Sequence, residues 1–380
     1  MITLSLSRHK ASKLLIVLLF VLTMMMILNA KLFNAYNSYA LFLVFGTVLI
    51  DILINPRIEV NDFLLLSVML VYSLLVTVWN GGGLGSIINL LCAILFVRMI
   101  CKIEFDNKVI KFLVKCCIAC ELFVFLRSFQ YAGNWIYYRF NDINPNTYGM
   151  VSAFCMMFII CGNDYIGEQR KNWFIGVIAS IIAVFTMINL KSRGSLIAVL
   201  SFVLLLLISR KIRKKKIYFI LAILVSIIGI LFPFVYIGLF SRGIQLDFLG
   251  KSLYTGREFL WTRMIQILNS HKGGWLIGLG SNVQIDTNQV TNNVHNDYFV
   301  SIVTYGIVGL LFFLSYLLSK LKPLLNDEYS DAILPWSIMF ISIVLLLGYT
   351  ETVTHWATLY IFMFFSLGMV NSIAKREVMR

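Results

Sequence analysis

The sequence predicts an all-α polytopic membrane protein with about twelve transmembrane helices, both termini cytoplasmic, and one long external loop that contains an amphipathic helix. Three observations carry this expectation. The 380 residues are 59% hydrophobic and only 13% charged, with a mean hydropathy of +0.86, which is more apolar surface than a water-soluble domain can hide. Apolar runs long enough to cross a bilayer, roughly 17 to 22 residues each, recur from end to end, and no stretch between them would make an independent soluble domain. Most of the 32 basic residues fall in alternate connections between those runs. The chain is therefore read as a single integral domain over residues 1–380, with residues 238–295 as an external loop subdomain between the ninth and tenth spans.

Taken in order, the runs cover 14–30, 39–55, 62–79, 84–100, 109–128, 147–162, 173–189, 194–209, 217–237, 296–318, 332–349 and 355–372. The first, "KLLIVLLFVLTMMMILNA", follows the basic "SRHKASK" and imitates a secretory signal. Its apolar stretch exceeds the roughly 7 to 15 residues of a signal core and "LNA" is a poor cleavage site, so a retained helix is expected. The seven cysteines lie in or at the ends of apolar runs without metal-ligand spacing, and are read as small core residues. Glu121, inside the fifth run, is a carboxylate at membrane depth; a functional role and a hydrogen-bonded structural one are both open.

Charge sets the orientation. "RKIRKKK", Arg210 to Lys216, is the strongest anchor, and the positive-inside rule puts it and both termini in the cytoplasm. The net charge of +14 then mostly reports topology and attraction to anionic lipid, so nucleic acid is not expected as a partner. Orientation leaves Lys31, Arg127, Arg139, Lys191, Arg193, Arg242, Lys251, Arg257, Arg263 and Lys272 unexplained. Arginines dominate this set, and guanidinium suits bidentate contact with phosphate. A phosphate-bearing ligand at the outer face follows.

The long external loop contains "TGREFLWTRMIQILNS". Thr255 as N-cap and Glu258 three positions on form a capping box. At 100° per residue, Trp261, Met264 and Leu268 share a stripe with Arg257, while Arg263 falls on the polar side. Arg257 must therefore snorkel or meet an anion, and it stands in a first helical turn, where free N–H groups favour phosphate. "KGGWLIGLGSN" lacks the lysine ending of a nucleotide loop and reads as tight turns holding Trp275 at the interface. "KSRGS" opens the eighth run with Lys191 and Arg193 at a helix N-terminus, against the dipole, which makes Arg193 a ligand candidate or an interface anchor. In "RFNDINPNTYG", Asn144 and Pro145 are ordinary capping residues, leaving Arg139 as the functional candidate. His295 either caps the tenth run or acts chemically; His355 has no motif to support it.

In order along the chain, "SRG", "TGREFLW", a glycine-rich turn and "HNDYFVSIVTYGIVG" resemble the family of O-antigen ligases and Wzy-type O-antigen or capsule polymerases. The ligase signature, His, then Asn, Ser or Gln, nine residues, then Gly-x-x-Gly, is met by His295, Asn296, Gly306 and Gly309. The resemblance covers mainly residues 139–310. It implies a glycosyltransferase of the bacterial inner (plasma) membrane that works on its external face. Its donor and acceptor would be undecaprenyl-pyrophosphate-linked glycans, with no metal or other cofactor and with a chain-length regulator as a further partner. By motif position the pyrophosphate arginines would be Arg193 and Arg257, with Arg139 as auxiliary, and His295 the base or acceptor-orienting group. The chemistry agrees: transfer needs a base for the acceptor hydroxyl and positive charge for the departing pyrophosphate. A histidine with an unperturbed pKa near 6.5 is neutral and basic at neutral pH. The external acids Asp142, Asp247, Glu258, Asp286, Asp297 and Glu351 show no pairing in the sequence. Polymerase is preferred to ligase. A lipid-linked oligosaccharide flippase or other transporter is the rival of a different class, disfavoured because no internal repeat is visible.

Overall fold

A computed structural model describes residues 2–55, 60–79, 85–131, 143–167, 169–244, 247–248, 251–252, 254, 256–280 and 295–378. Every apolar run becomes helical, because a chain in hydrocarbon must satisfy its own backbone groups. The first five helices are α1 (Ile2–Ile27), α2 (Ala30–Ile54), α3 (Val60–Trp79), α4 (Gly85–Lys102) and α5 (Asn107–Ser128). Then come α6 (Pro145–Ile166), α7 (Gln169–Leu190), α8 (Arg193–Ser209) and α9 (Lys215–Ser241). The loop that follows holds a two-residue antiparallel pairing, β1 (Asp247–Phe248) with β2 (Lys251–Ser252), and two helices, α10 (Arg257–Ser270) and α11 (Gly274–Ile277). The last three are α12 (Asp297–Ser319), α13 (Ile333–Phe340) and α14 (Tyr360–Val378). The small β pairing is the one departure from an all-α fold among the described residues. Seven helices (α1, α2, α3, α6, α9, α12 and the segment containing α14) are long and apolar enough to cross a membrane, while α7, α8 and α13 are apolar but shorter. This is the pattern of a membrane protein.

The helices divide by enclosure. Ninety-four per cent of the apolar stretch around α14 is buried within the protein, against 22% for α2, so α14 is a central post and α2 faces the surroundings. Around the post, Phe20 of α1 packs its ring 5.5 Å from Phe158 and 5.7 Å from Phe362 and Phe365. Phe154 stacks on Phe362 at 4.6 Å. In this core Glu121 accepts a hydrogen bond from the Ser152 hydroxyl, 2.7 Å away, which ties α5 to α6 and gives the carboxylate a structural partner. All seven cysteines are free thiols, six of them buried.

Two spans that the sequence presents as simple helices are not. The run expected over 332–349 is α13 followed by a π-helical turn (Ile341–Leu346) and a 3-10 turn (Leu347–Tyr349). Changes of pitch of this kind are concentrated at functional sites. The second is α12, broken at Gly306, whose φ of 68° and ψ of −179° lie in a region open essentially only to glycine. The break releases backbone carbonyls that must find donors. Val303 O accepts from Leu279 N–H (2.7 Å), Thr304 O from Gly280 N–H (3.1 Å) and Tyr305 O from the Tyr72 hydroxyl (2.8 Å). A Cβ on Gly306 would stand 2.1 Å from Leu276 O. The glycine-rich segment after α10 therefore docks its backbone into the gap in α12. Gly306 opens a helix so that a loop can enter, a role its place in the motif does not reveal. Gly309 does pack closely, with its Cβ position 3.2 Å from the Tyr72 ring.

Candidate functional site

Four helix N-termini meet at one end of the bundle, and each brings a polar side chain. α6 starts as its sequence dictates: Asn144 is the N-cap, accepting from Asn146 N–H at 2.9 Å, with Pro145 next. α8 starts at Arg193 after a turn in which Lys191 adopts φ 52°. There Ser192 N–H bonds Met187 O (3.0 Å) and Lys191 N–H bonds Ile188 O (3.1 Å), a Schellman closure of α7 with lysine where glycine is usual. α10 starts at Arg257, one residue later than the capping box predicts. Gly256 is its N-cap at φ 90°, and Glu258 Oε1 accepts the Gly256 N–H at 3.1 Å; Thr255 lies outside the described residues. The expected stripe is present, with Trp261, Met264 and Leu268 buried and Arg257 four-fifths covered. α12 starts at Asp297 behind the N-cap Asn296, whose Oδ1 accepts Phe299 N–H at 2.7 Å.

His295 immediately precedes that cap, at φ 51°. A non-glycine residue held in the left-handed region costs of order 1–3 kcal/mol and persists only where its surroundings over-determine it. What holds it is a carboxylate whose partners are invisible in the sequence. Glu351, in the loop after α13, places Oε2 3.3 Å from His295 Nδ1. Its Oε1 lies 3.3 Å from the Arg257 guanidinium and accepts a 2.9 Å hydrogen bond from Asn146 Nδ2. Arg193 donates to Ser252 O on β2 at 2.7 Å, and the Arg257 charge acts on it electrostatically.

Close approach makes the cluster possible. A Cβ on Gly194, the glycine of "SRG", would lie 2.2 Å from Thr350 Oγ1, and one on Gly149 would lie 2.3 Å from Ser192 Oγ. A Cβ on Gly229 of α9 would meet the rings of Tyr298 and Tyr349 at 2.5 and 2.7 Å. These glycines let α6, α8, α9 and the α13 exit draw together around Glu351.

The structure thus brings His295 and Arg257 onto one carboxylate and sets Arg193 beside Arg257. Arg139 lies outside the described residues. Two side chains of the cluster escape sequence reasoning. Glu351 reads there as an isolated external acid, because its partners are 56, 94 and 205 positions away in the chain. Asn146 reads as part of local capping, which its backbone N–H does perform while its side chain reaches Glu351. The usable signal is that "ETVTH" begins where an apolar run leaves the membrane on the same face as His295. His355 also proves to be built in. Its Nδ1 is 3.1 Å from Asp297 Oδ1.

As chemistry, the cluster offers an imidazole oriented by a carboxylate, two guanidiniums, and helix N-termini that favour negative charge. Residues 178–314 match a family model described as O-antigen ligase. The match spans Arg193, Arg257, His295, Gly306 and Gly309 and stops short of Glu351. The chain therefore carries a domain of that kind, consistent with the O-antigen polymerase and ligase family and with a glycosyltransferase-like membrane enzyme. No curated protein matches the chain.

Proposed function

We propose, on the premise that residues 178–314 carry an O-antigen ligase-type domain, that the protein is a polysaccharide polymerase. It joins undecaprenyl-pyrophosphate-linked oligosaccharide repeat units into O-antigen or capsular polysaccharide. It does so at the external face of the bacterial inner membrane, with about twelve spans, both termini cytoplasmic and the His295 end outside. The observation that carries this reading is the meeting of His295 and Arg257 on Glu351 within a domain of that family.

In the proposed step, Glu351 accepts His295 Nδ1–H, which fixes the tautomer and leaves the Nε2 lone pair as the base. The acceptor hydroxyl oxygen attacks the anomeric carbon of the donor, and its proton passes to Nε2. The bond from that carbon to the pyrophosphate breaks, and the electron pair leaves with undecaprenyl pyrophosphate. Arg193 and Arg257 stabilise the departing charge, each cation contributing most in a site screened from water, with Arg139 as auxiliary. Displacement in one step inverts the anomeric centre. The residues named suffice for acid–base and electrostatic catalysis, so the proposed reaction is metal-independent.

The match to an O-antigen ligase family favours a second reading, in which the same site transfers the finished glycan to lipid A core. Reconstitution in proteoliposomes with one defined lipid-linked repeat unit and chelator separates the two. A ladder of longer lipid-linked glycans supports the polymerase; transfer that appears only when lipid A core is added supports the ligase. Movement of intact lipid across the bilayer with no new glycosidic bond would overturn both in favour of a transporter.

A further inference from the structure

The end of α12 and the loop after α13 are joined by a second histidine–carboxylate pair, crossed with the first. His295 of α12's leading turn meets Glu351 of the loop, while Asp297 of α12 meets His355 of the loop. Asp297 is 8% exposed at its side chain, and both its oxygens accept the Thr354 N–H, at 3.1 and 2.9 Å. A buried carboxylate needs such partners, and it sits in a first helical turn, where negative charge is favoured. At the other side of Glu351, Asn296 Nδ2 donates to Tyr349 O at 2.9 Å. His355 is fixed in turn by Asn89, whose Nδ2 donates to His355 O at 3.0 Å. The loop bearing Glu351 is thus fastened to α12 two residues before the glutamate, by Asn296, and three and four residues after it, by Asp297.

We infer that Asp297 and His355 are positioning residues, which hold Glu351 at the distance where it orients the His295 ring; the inference rests on the proposed role of His295. Each residue of "HND" then has its own part, for the histidine reacts while the asparagine and aspartate pin the two ends of the loop that orients it. A competing use of the same atoms is a Ser-His-Asp relay, since Ser301 Oγ lies 3.4 Å from His355 Nε2. Ser301 is 3% exposed and faces an apolar-walled cavity of about 20 Å³ shared with Asp297 and Thr354. That volume holds about one water molecule and no sugar, so Ser301 has no substrate to attack.

The test is polymer formation from a lipid-linked repeat unit in proteoliposomes, with kcat and KM for the repeat unit and a thermal midpoint for every variant. His355→Ala is expected to lower kcat about 10- to 100-fold through misplacement of Glu351 while KM changes less than kcat, because neither arginine is replaced. His355→Asn keeps an N–H where Nδ1 stood and is expected to restore most of kcat, and Ser301→Ala to retain it. His355→Ala added to Glu351→Gln is expected to cost no more than Glu351→Gln alone, the mark of residues acting through one another. Where His355→Ala does not assemble, Asp297→Asn, which still accepts the Thr354 N–H, reads the same coupling. An inactive His355→Asn with an unchanged midpoint, an inactive Ser301→Ala, or additive losses at 355 and 351 would each overturn the assignment. His295→Ala distinguishes the levels of failure. If that variant is fully active, the proposed base is wrong; if it is dead while His355→Ala and Asp297→Asn are normal, only the positioning role is wrong.

Discussion

The two ends of the helical bundle handle positive charge differently. At the end away from His295, lysines are matched with carboxylates: Lys13 with Asp106 at 2.7 Å, Lys320 with Asp62 at 2.9 Å, and Lys215 with Asp331 at 3.3 Å. At the His295 end a single carboxylate, Glu351, serves Arg257, His295 and Asn146, and Arg193 turns to a backbone carbonyl. The first arrangement holds helices together, each lysine meeting a carboxylate of another segment. The second gathers a guanidinium and an imidazole on one carboxylate at converging helix N-termini, the place where the proposed reaction puts the donor pyrophosphate. Both ends are built on the same helices, so fold and charge count alone do not distinguish a structural ion pair from the proposed substrate site. Asp331 is shared as well, by Lys215 and, at 3.8 Å, by Arg213, so what distinguishes the Glu351 cluster is an imidazole and a guanidinium on the same carboxylate.

Substitutions at the two ends should therefore differ in kind. The largest effect is expected for His295→Ala, a loss of about 10²- to 10⁴-fold in glycan transfer with membrane insertion intact, measured as ladder formation from a defined lipid-linked repeat. Normal activity in this variant would refute the catalytic assignment. Arg257→Ala should follow, with about 10²- to 10³-fold lost in kcat; an unchanged kcat accompanied by a raised KM would instead assign Arg257 to ground-state binding. Gly306→Ala tests whether the break in α12 supports the site end alone. Its cost is about 1–3 kcal/mol of backbone strain plus the clash with Leu276 O, read as a lowered thermal midpoint. At the opposite end, Lys320→Met should leave transfer unchanged at permissive temperature while lowering stability by about 1–3 kcal/mol, because Asp62 is left buried without this partner. If transfer collapses in Lys320→Met while the midpoint holds, the division between the two ends is wrong.

The smallest effect is one of pH. Burial raises the Asp106 carboxyl, but the hydrogen bond from Lys13, the Val109 N–H and the nearby positive charges outweigh it and hold the group below its ordinary value. A carboxyl depressed by folding adds stability that is complete above the unfolded value, about pH 4. That contribution disappears as pH falls through the lower folded value. The midpoint of the wild type should thus drop more between pH 6 and pH 3 than that of Lys13→Met. Equal drops would show that the pair contributes nothing.

Much of the fold was legible because bilayer-length apolar runs specify helices without reference to any distant residue. The capping of α6 by Asn144 and Pro145, and the buried stripe of α10 through Trp261, Met264 and Leu268, were legible for the same reason: each depends on residues within a turn or two. At the site, His295, Arg193 and Arg257 stand out because their surroundings in the chain are unusual for their charge. Glu351, Asn146 and the Asp297–His355 pair do not, since nothing local marks a carboxylate whose partners are more than fifty residues away. Gly306 shows the limit from the other side. Its spacing in the motif was visible, but a glycine that packs and a glycine that breaks a helix look the same in a string of letters.

By itself, the sequence determined a helical membrane protein with a histidine and two arginines gathered toward one end. Those properties follow from hydropathy, capping and charge, which act over a few residues. The tertiary structure alone decided that Glu351 joins Asn146, Arg257 and His295, that a glycine-rich loop supplies the hydrogen bonds α12 lacks at Gly306, and that two crossed histidine–carboxylate pairs close the site. Each of these is a contact between segments brought together by packing, with geometry set by glycines whose would-be Cβ stands 2 to 3 Å from a neighbour's side chain or, at Gly306, its backbone, and such distances are properties of the assembled bundle.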